Sequence, residues 1–396
     1  MNARDLMAAA LFTLLPGALS GQELRGSAAV ETRGFPQHPG FAEQRDATVS
    51  PSFVIAPEIL WDALDGGLQL TVEPFLRLDP QDGRSHWDVR EASALYIAEG
   101  WTLFAGAGRV FWGKAESRHL VDIVNQTDGV EDIDGEDKLG QPMVMLTLER
   151  SWGALDLFYL PYFRERTFPG ERARLSGALA VMDDAVYEAD AGRWHPDVAA
   201  RWSSYYGNLD VAVSAFRGTG REPRLLPVSV GAGIALQAHY DIIDQIGVEA
   251  QWTRGATLWK LEGMTRGGQG ERFVAAVAGV EHTLFGLASG PSDLGLLAEL
   301  MVDTRNDSAP YTAFDNDVFL GARWALNDDR DTSVLGGPII DLETGELVIF
   351  AEAQRRVADR WTVEVEGRWF QNTDPTGPLF GLRRDDFVTL RVSRHF

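Results

Sequence analysis

The stretch "RWTVEVEGRWF" (360–370), read as an extended chain, puts Trp361, Val363, Val365, Gly367 and Trp369 on one face and Thr362, Glu364, Glu366 and Arg368 on the other. The same alternation recurs along the chain. "DVFLGARWALND" (317–328) groups Val318, Leu320, Ala322, Trp324 and Leu326 against Arg323 and Asn327. "LGLLAELMVDTR" (294–305) groups Leu294, Leu296, Ala298, Leu300 and Val302 against Glu299 and Asp303, and "TLWKLEGMTR" (257–266) sets Trp259 and Leu261 against Lys260 and Glu262. A helical period would scatter these charges over both faces, so each segment is expected to be a strand. From "GSAAVETR" (26–33) onward such segments repeat, separated by turn chemistry such as "YYGNLD" (205–210), "TGE" (344–346) and "VADR" (357–360). Their number is about sixteen to nineteen, and the regular exchange of short turn and long loop becomes hard to follow in the middle of the chain.

The chain stops on "FVTLRVSRHF" (387–396), whose alternate residues Val388, Leu390, Val392, Arg394 and Phe396 share one mostly apolar face. A terminal aromatic on such a face needs a protein pocket or lipid. In hydrocarbon each unpaired backbone group costs several kcal/mol, so a sheet persists there only when it has no edges. Antiparallel closure further requires an even strand number. The expected fold is therefore all-β: a single antiparallel transmembrane β-barrel of about 16–18 strands with an inserted acidic loop. Trp61, Trp101, Trp152, Tyr206, Trp252, Trp361 and Trp369 sit at or near strand ends, where an interfacial girdle belongs. The final strand, through Val388, Leu390, Val392 and Phe396, resembles the signal read by the barrel insertion machinery of Gram-negative outer membranes. Arg394 departs from that pattern, and its stem is expected to snorkel.

Composition changes the picture in three places. No run after the first twenty residues approaches the ~18 apolar residues of a spanning helix. The first twenty, with Arg4, an apolar run from Leu6 to Leu15, Pro16 and Ala18-Leu19-Ser20, read as a signal peptide (1–20) ahead of a barrel unit (21–396). There are no cysteines, which excludes disulfides and thiolate metal sites. The net charge of -22 argues against a nucleic-acid partner and identifies no other; the expected partners, outer-membrane lipids and the insertion machinery, follow from the barrel reading and its final strand.

The block "GRVFWGKAESRHLVDIVNQTDGVEDIDGEDKLGQP" (108–142) is too long for a turn and too charged for lipid, and loops of that length usually have a function. Its charged loop, taken as 114–140, is expected either inside the lumen or outside the barrel. Arg109, Lys114, Glu116, Arg118 and Asp122, with Arg164 and Arg166 of "YFRERTFPG" (162–170), are candidate pore-lining groups. Lys260, Glu262, Glu299, Arg323, Glu364, Glu366 and Arg368 join them from the strands. Opposed charges across water would set a transverse field that selects solutes; paired surface charges contributing little are the plain alternative. Asp128, Asp132, Asp134 and Asp137 are weak candidates for a divalent ion. The EF-hand template fails, because Val130 would stand at its first ligand position and Gln141 at its twelfth. No cofactor is expected.

The seven histidines form no paired-ligand motif, and neither a G-x-S-x-G elbow nor a phosphate loop is present, so no catalytic residue is assigned. A Ser/His pair assembled in space remains the enzymatic alternative, as in outer-membrane lipid hydrolases.

The motifs "GRVFWGKAES" with "VDIVNQ" (108–126), "EDKLGQP" (136–142), "FRERTFPG" (163–170), "GTGREP" (218–223), "WKLEG" (259–263), "DLGLLAEL" (293–300) and "DNDVFLGARWALND" (315–328) resemble a family of proteobacterial outer-membrane porin-like barrels. The resemblance spans most of the mature chain. Related groups are sometimes associated with inner-membrane exporters of lipid-like molecules, so the resemblance implies such an exporter as a partner and export as a rival to passive uptake. The leading expectation is a channel for small polar solutes. An export component would show a lateral opening or a greasy lumen among inward residues such as Phe319 and Phe350, and a soluble β-sandwich would bury its apolar faces under a second layer of protein.

Overall fold

A computed structural model describes residues 22–231, 233–287 and 290–396; the expected signal peptide, 1–20, lies outside the described residues. The strands are β1 (Gln22–Gly34), β2 (Val49–Ala63), β3 (Leu68–Leu78), β4 (His86–Ala98), β5 (Trp101–Gly108), β6 (Gln141–Arg150) and β7 (Gly153–Leu160). They continue with β8 (Val186–Tyr187), β9 (Asp197–Tyr206), β10 (Leu209–Thr219), β11 (Arg224–Val230), β12 (Gly233–Tyr240), β13 (Ile242–Arg254) and β14 (Thr257–Gly267). The last seven are β15 (Phe273–Leu284), β16 (Asp293–Asp303), β17 (Asn316–Ala325), β18 (Ser333–Asp341), β19 (Leu347–Ala358), β20 (Trp361–Gln371) and β21 (Phe387–His395). Eighteen of them form one antiparallel sheet, while β8, β11 and β12 form a small separate sheet.

The large sheet closes on itself. Val30 of β1 stands opposite Phe53 of β2 on one side and Val392 of β21 on the other. The last residue completes the seam, since Phe396 and Gly26 exchange backbone hydrogen bonds of 3.1 Å in both directions. Closure leaves no edge to satisfy, which is the condition for a sheet in hydrocarbon.

The alternation read from the sequence sorts wall residues correctly. On β21, Val388 and Leu390 are exposed on the outer surface while Phe387, Thr389 and Ser393 are buried inside. Val213, Val248, Leu261, Leu300, Leu320 and Val365 likewise stand exposed on the outside. No second layer of protein covers them among the described residues, so the soluble-sandwich alternative fails and lipid is the remaining apolar solvent. Tyr96, Trp152, Tyr206, Trp252, Trp259, Trp324 and Trp361 are exposed around the short-turn rim. Trp252 and Trp259 face each other across β13 and β14. Arg394, the departure from the insertion signal, holds its guanidinium 6.0 Å from the Trp361 ring, at the level where a cation can remain wet.

Short turns such as 99–100, 151–152, 207–208, 255–256 and 359–360 lie at one rim together with both ends of the described chain. The long connections 35–48, 109–140, 161–196, 220–241, 304–315 and 372–386 lie at the other, which is the outer rim in barrels of this kind. The exchange of turn and loop does not break down in the middle. What blurred it is β8 and the β11–β12 hairpin, which alternate like wall strands but belong to loops.

Candidate functional site: a loop seated in the lumen

The connection from β5 to β6 covers 109–140, five residues longer at its start than expected, and it folds into the barrel. Its first part carries Trp112, Val121, Ile123 and Val124, which are buried against the inward side chains Met143, Phe158, Leu160, Ala199, Phe216 and Ile243 of the wall. Full burial of such side chains contributes about 1.5–3 kcal/mol each, so this face alone is a strong reason to leave water.

Folding inward strands backbone N–H groups, and two wall carboxylates accept them. Glu262 of β14 accepts from the amides of Lys114 (2.5 Å), Ala115 (2.8 Å) and Leu120 (2.8 Å). Glu299 of β16 accepts from the amides of Glu116 (2.9 Å) and Ser117 (2.8 Å) and from the Ser117 hydroxyl (2.6 Å). Both were expected to face solute; they are 0% and 2% exposed, covered by the loop they hold. Two glycines allow the close approach. A Cβ on Gly113, at φ +153°, would lie 2.7 Å from His119 Nδ1, and one on Gly140 would lie 2.1 Å from the Val89 carbonyl oxygen.

His119 sits between carboxylates, with Nε2 3.1 Å from Glu136 and Nδ1 3.7 Å from Glu262. Burial alone would lower its pKa, but the two carboxylates outweigh burial and raise it to about 10. The imidazole is therefore a cation at neutral pH and clamps the two halves of the loop.

The second part of the loop is acidic and meets arginines of the opposite wall. Asp132 pairs with Arg33 at 2.8 Å, Glu131 with Arg77 at 2.5 Å, Asp128 with Arg90 at 2.7 Å and Asp134 with Arg368 at 2.6 Å. Arg77 also reaches Glu31 at 2.9 Å, and Arg84 donates to the Val130 carbonyl at 3.1 Å. Burial pushes Asp137 up to about 6, helped by Glu131 and Asp132, and burial beside Asp132 also raises Asp134.

The remaining candidates divide. Arg323 reaches Glu116 at 2.5 Å, and Lys260 lies 3.6 Å from Glu116 and 3.5 Å from Glu281. Arg109 pairs with Glu73, Arg164 with Asp88, Arg118 with Asp303, and the buried Asp122 with Lys138. Glu364 and Glu366 face inward beside Arg391 and Arg368. Lys114 contributes its backbone amide, and Arg166 makes no ion pair among the described residues. Sequence reasoning missed Glu31, Arg33, Arg77, Arg84 and Arg90, although the inward, period-two placement of "VETR" (30–33) carried the signal for two of them.

Two cavities remain around the loop. One of about 270 Å³ is walled by Asp132, Asp134 and Asp137 of the loop, by Glu352, Glu364 and Glu366, and by Arg33, Arg77 and Arg391. The other, about 650 Å³, lies under the outer loops between Arg118, Arg166, Arg221, Arg266 and Arg305. Asp134 and Glu136 belong to the walls of both.

No family model and no curated protein matches the sequence. Among solved structures, OccD3 of Pseudomonas aeruginosa is similar over 96% of this chain and 92% of its own, with a TM-score of 0.51 and 11% identity. Wzi of Escherichia coli, an outer-membrane carbohydrate-binding β-barrel involved in group 1 capsule assembly, is similar over 92% of this chain and 83% of its own, with a TM-score of 0.52 and 9% identity. The chain has the fold of an outer-membrane β-barrel.

Within this outer-membrane barrel the four acidic candidates for a metal do not converge on one point. Asp128 lies with His86 and Glu131, whereas Asp132 and Asp134 lie with Glu366. Each group is already met by arginines, Arg90 and Arg77 in the first and Arg33 and Arg368 in the second.

Proposed function

We propose that this outer-membrane barrel is a porin-like channel for small polar solutes, narrowed by the seated 109–140 loop, and that it performs no chemistry. The observation that carries the reading is the 270 Å³ gap, where carboxylates and guanidinium groups face each other across open space and which shares Asp134 and Glu136 with the outer cavity. Fixed opposed charges at a narrow point orient and filter dipolar solutes. Its partners in this reading are outer-membrane lipids and the insertion machinery, with no nucleic acid. Recording from purified protein in a planar bilayer tests it: small, discrete conductance steps are expected, and steps that stay absent even when the loop is shortened would sink the proposal.

One observation favours a second reading, passage of hydrophobic molecules in concert with an inner-membrane exporter. Phe319 and Phe350 stack inside the barrel at 5.2 Å, beside Met264, Phe273, Val277 and Met301. That apolar wall is covered by Ala115 and Leu120 of the loop, and every barrel strand has a partner on both sides, so no lateral opening is present among the described residues. Lipid-transfer activity that exceeds solute flux would favour export. Hydrolysis of envelope lipids by the purified protein, lost on replacing a lumenal histidine such as His119, would revive the enzymatic alternative.

A further inference from the structure

The outer cavity holds a cationic side chain that nothing among the described residues answers. Arg221 is 4% exposed, and three of its contacts are fixed: Nε donates to the Val124 carbonyl at 3.0 Å, and Nη1 donates to Asp197 and to the Thr219 carbonyl, each at 2.7 Å. Its Nη2 has no partner among the described residues. The Nε of Arg166 is equally shut off from water and equally unpartnered. Both residues line the 650 Å³ cavity, and the Arg166 guanidinium, with no ion pair and no side-chain hydrogen bond among the described residues, is the one left to meet a ligand there. A buried guanidinium without a counter-charge is costly, so an unpaired Arg166 on the cavity wall requires an explanation.

The position of Arg166 is built rather than accidental. Its backbone amide donates to the Tyr240 hydroxyl at 3.0 Å, and Phe163, three residues earlier, is fully buried against Tyr240 and Ala238. The β11–β12 hairpin thus fixes the segment that presents Arg166. Elsewhere in the wall the acids are already neutralised: Asp122 by Lys138 at 3.1 Å and Glu136 by His119 at 3.1 Å. Glu222 is held by Arg266 at 2.9 Å and by Arg305 at 3.0 Å, which shows what this arginine cluster binds when a carboxylate is available. Asp134 is answered by Arg368 at 2.6 Å, so among the described residues only Asp307, exposed at the rim, adds an unanswered negative charge to the lining. A water molecule occupies about 30 Å³, far less than this space, whereas small-ligand sites run to about 300–1,000 Å³.

We infer that the outer cavity binds a small organic anion, its carboxylate or phosphate group taken by the Arg166 guanidinium beside the fixed charge of Arg221, and its apolar portion lying on Ile123, Phe168, Leu225 and Phe314. This deepens the channel reading by naming the solute class and rests on it for its biological sense. Guanidinium forks suit both acid groups, because each offers paired oxygens to parallel N–H donors. The flanking side chains, all in the lining of the same cavity, supply the apolar surface that an inorganic anion would not need.

The experiment is calorimetric titration of the full-length barrel in detergent with benzoate and phenyl phosphate, against benzyl alcohol and benzylammonium as uncharged and cationic controls. The anions should bind and the controls should not; comparing the two anions separates a carboxylate preference from a phosphate preference. Arg166→Gln, which breaks no ion pair, should weaken anion binding about tenfold, the effect of losing one charge-assisted hydrogen bond. Glu222→Gln, which frees Arg266 of its ion pair and leaves Arg305 with Asp303 alone, should tighten it. Equal binding of benzyl alcohol, or anion binding unchanged in both variants with heat-modifiable gel mobility intact, overturns the inference. Conductance measured on the same preparation keeps the two readings apart: a protein that conducts without binding anions retains the channel and loses this site, and one that binds without conducting does the reverse.

Discussion

The two halves of the lumenal loop are held by different physics. Residues 110–124 lie on the wall from β6 to β16, with Trp112, Val121, Ile123 and Val124 out of water and the backbone answered by Glu262 and Glu299. Residues 128–137 face the wall formed by β1 to β4 and β19 to β21 across a charged gap, tied by Arg33, Arg77, Arg90 and Arg368. The first half is a seat whose strength comes from apolar burial and fixed amides, which salt barely touches. The second is a set of ion pairs, where removal of water is costly and attraction depends on the protonation of each partner. A loop with one dry anchor and one charged margin is placed to move at the margin while staying attached.

The sharpest way to break this contrast is Glu262→Ala. It leaves three amides of the loop without their acceptor and His119 without one of its two carboxylates. At about 1–3 kcal/mol per unmade donor, roughly 3–9 kcal/mol of seating is lost. Larger unitary conductance and rapid proteolytic cleavage within 113–120 are the expected readouts; a loop that stays protease-resistant in this variant contradicts the seat. Arg77→Ala attacks the other half. It takes the bidentate partner from Glu131, leaving it only His86 at 3.5 Å among the described residues, and leaves Glu31 with Arg84 at 2.9 Å; removing one partner of such a buried group costs up to about 3–5 kcal/mol. Its effect should show as altered ion selectivity with the 113–120 segment still protected. If both variants expose the same segment, the two halves are one unit. Gly113→Ala is the milder probe of the seat, because its Cβ must displace His119 from 2.7 Å; about 1–3 kcal/mol is expected from such crowding, read as flickering rather than full opening.

How much of this was legible follows from the range of the forces involved. The wall was readable because inward and outward residues alternate with a period of two, so a single strand such as 360–370 reveals both of its solvents. The closing partner of that wall was also readable, since a final strand with an oily face has one place to go. The β11–β12 hairpin misled, because alternation reports that a strand has two faces and not which sheet it joins. The loop was visible by length and charge but its location was not. Its anchors Glu262 and Glu299 stand more than a hundred residues away in sequence, where a mid-strand carboxylate that binds backbone looks the same as one that meets solute. The strand-like "GRVFW" (108–112) similarly hid where the wall ends: Trp112 is apolar because it packs inside the lumen, not because it touches lipid.

The subtlest test of the contrast is pH, and the two halves should respond at opposite ends of the scale. His119 has its pKa raised to about 10 against an ordinary value of about 6.5. A base held more tightly protonated in the seated state contributes stability that is fully present below about 6.5 and lost as pH rises through about 10. Asp137 is raised to about 6 by burial among Glu131, Asp132 and Asp128, with Arg90 opposing. An acid raised in this way binds its proton better in the folded loop, so seating at the charged margin strengthens as pH falls through about 6. Conductance should therefore be lowest near pH 5, intermediate at neutrality and highest above about 10, where the His119 clamp is neutral. His119→Gln should flatten the alkaline limb alone, and Asp137→Asn should make the acidic limb alone shallower, since Asp134, also raised by burial beside Asp132, keeps part of it. If either variant flattens both limbs, the two halves titrate as one unit, and the distinction between a dry seat and a charged margin does not govern how the loop moves.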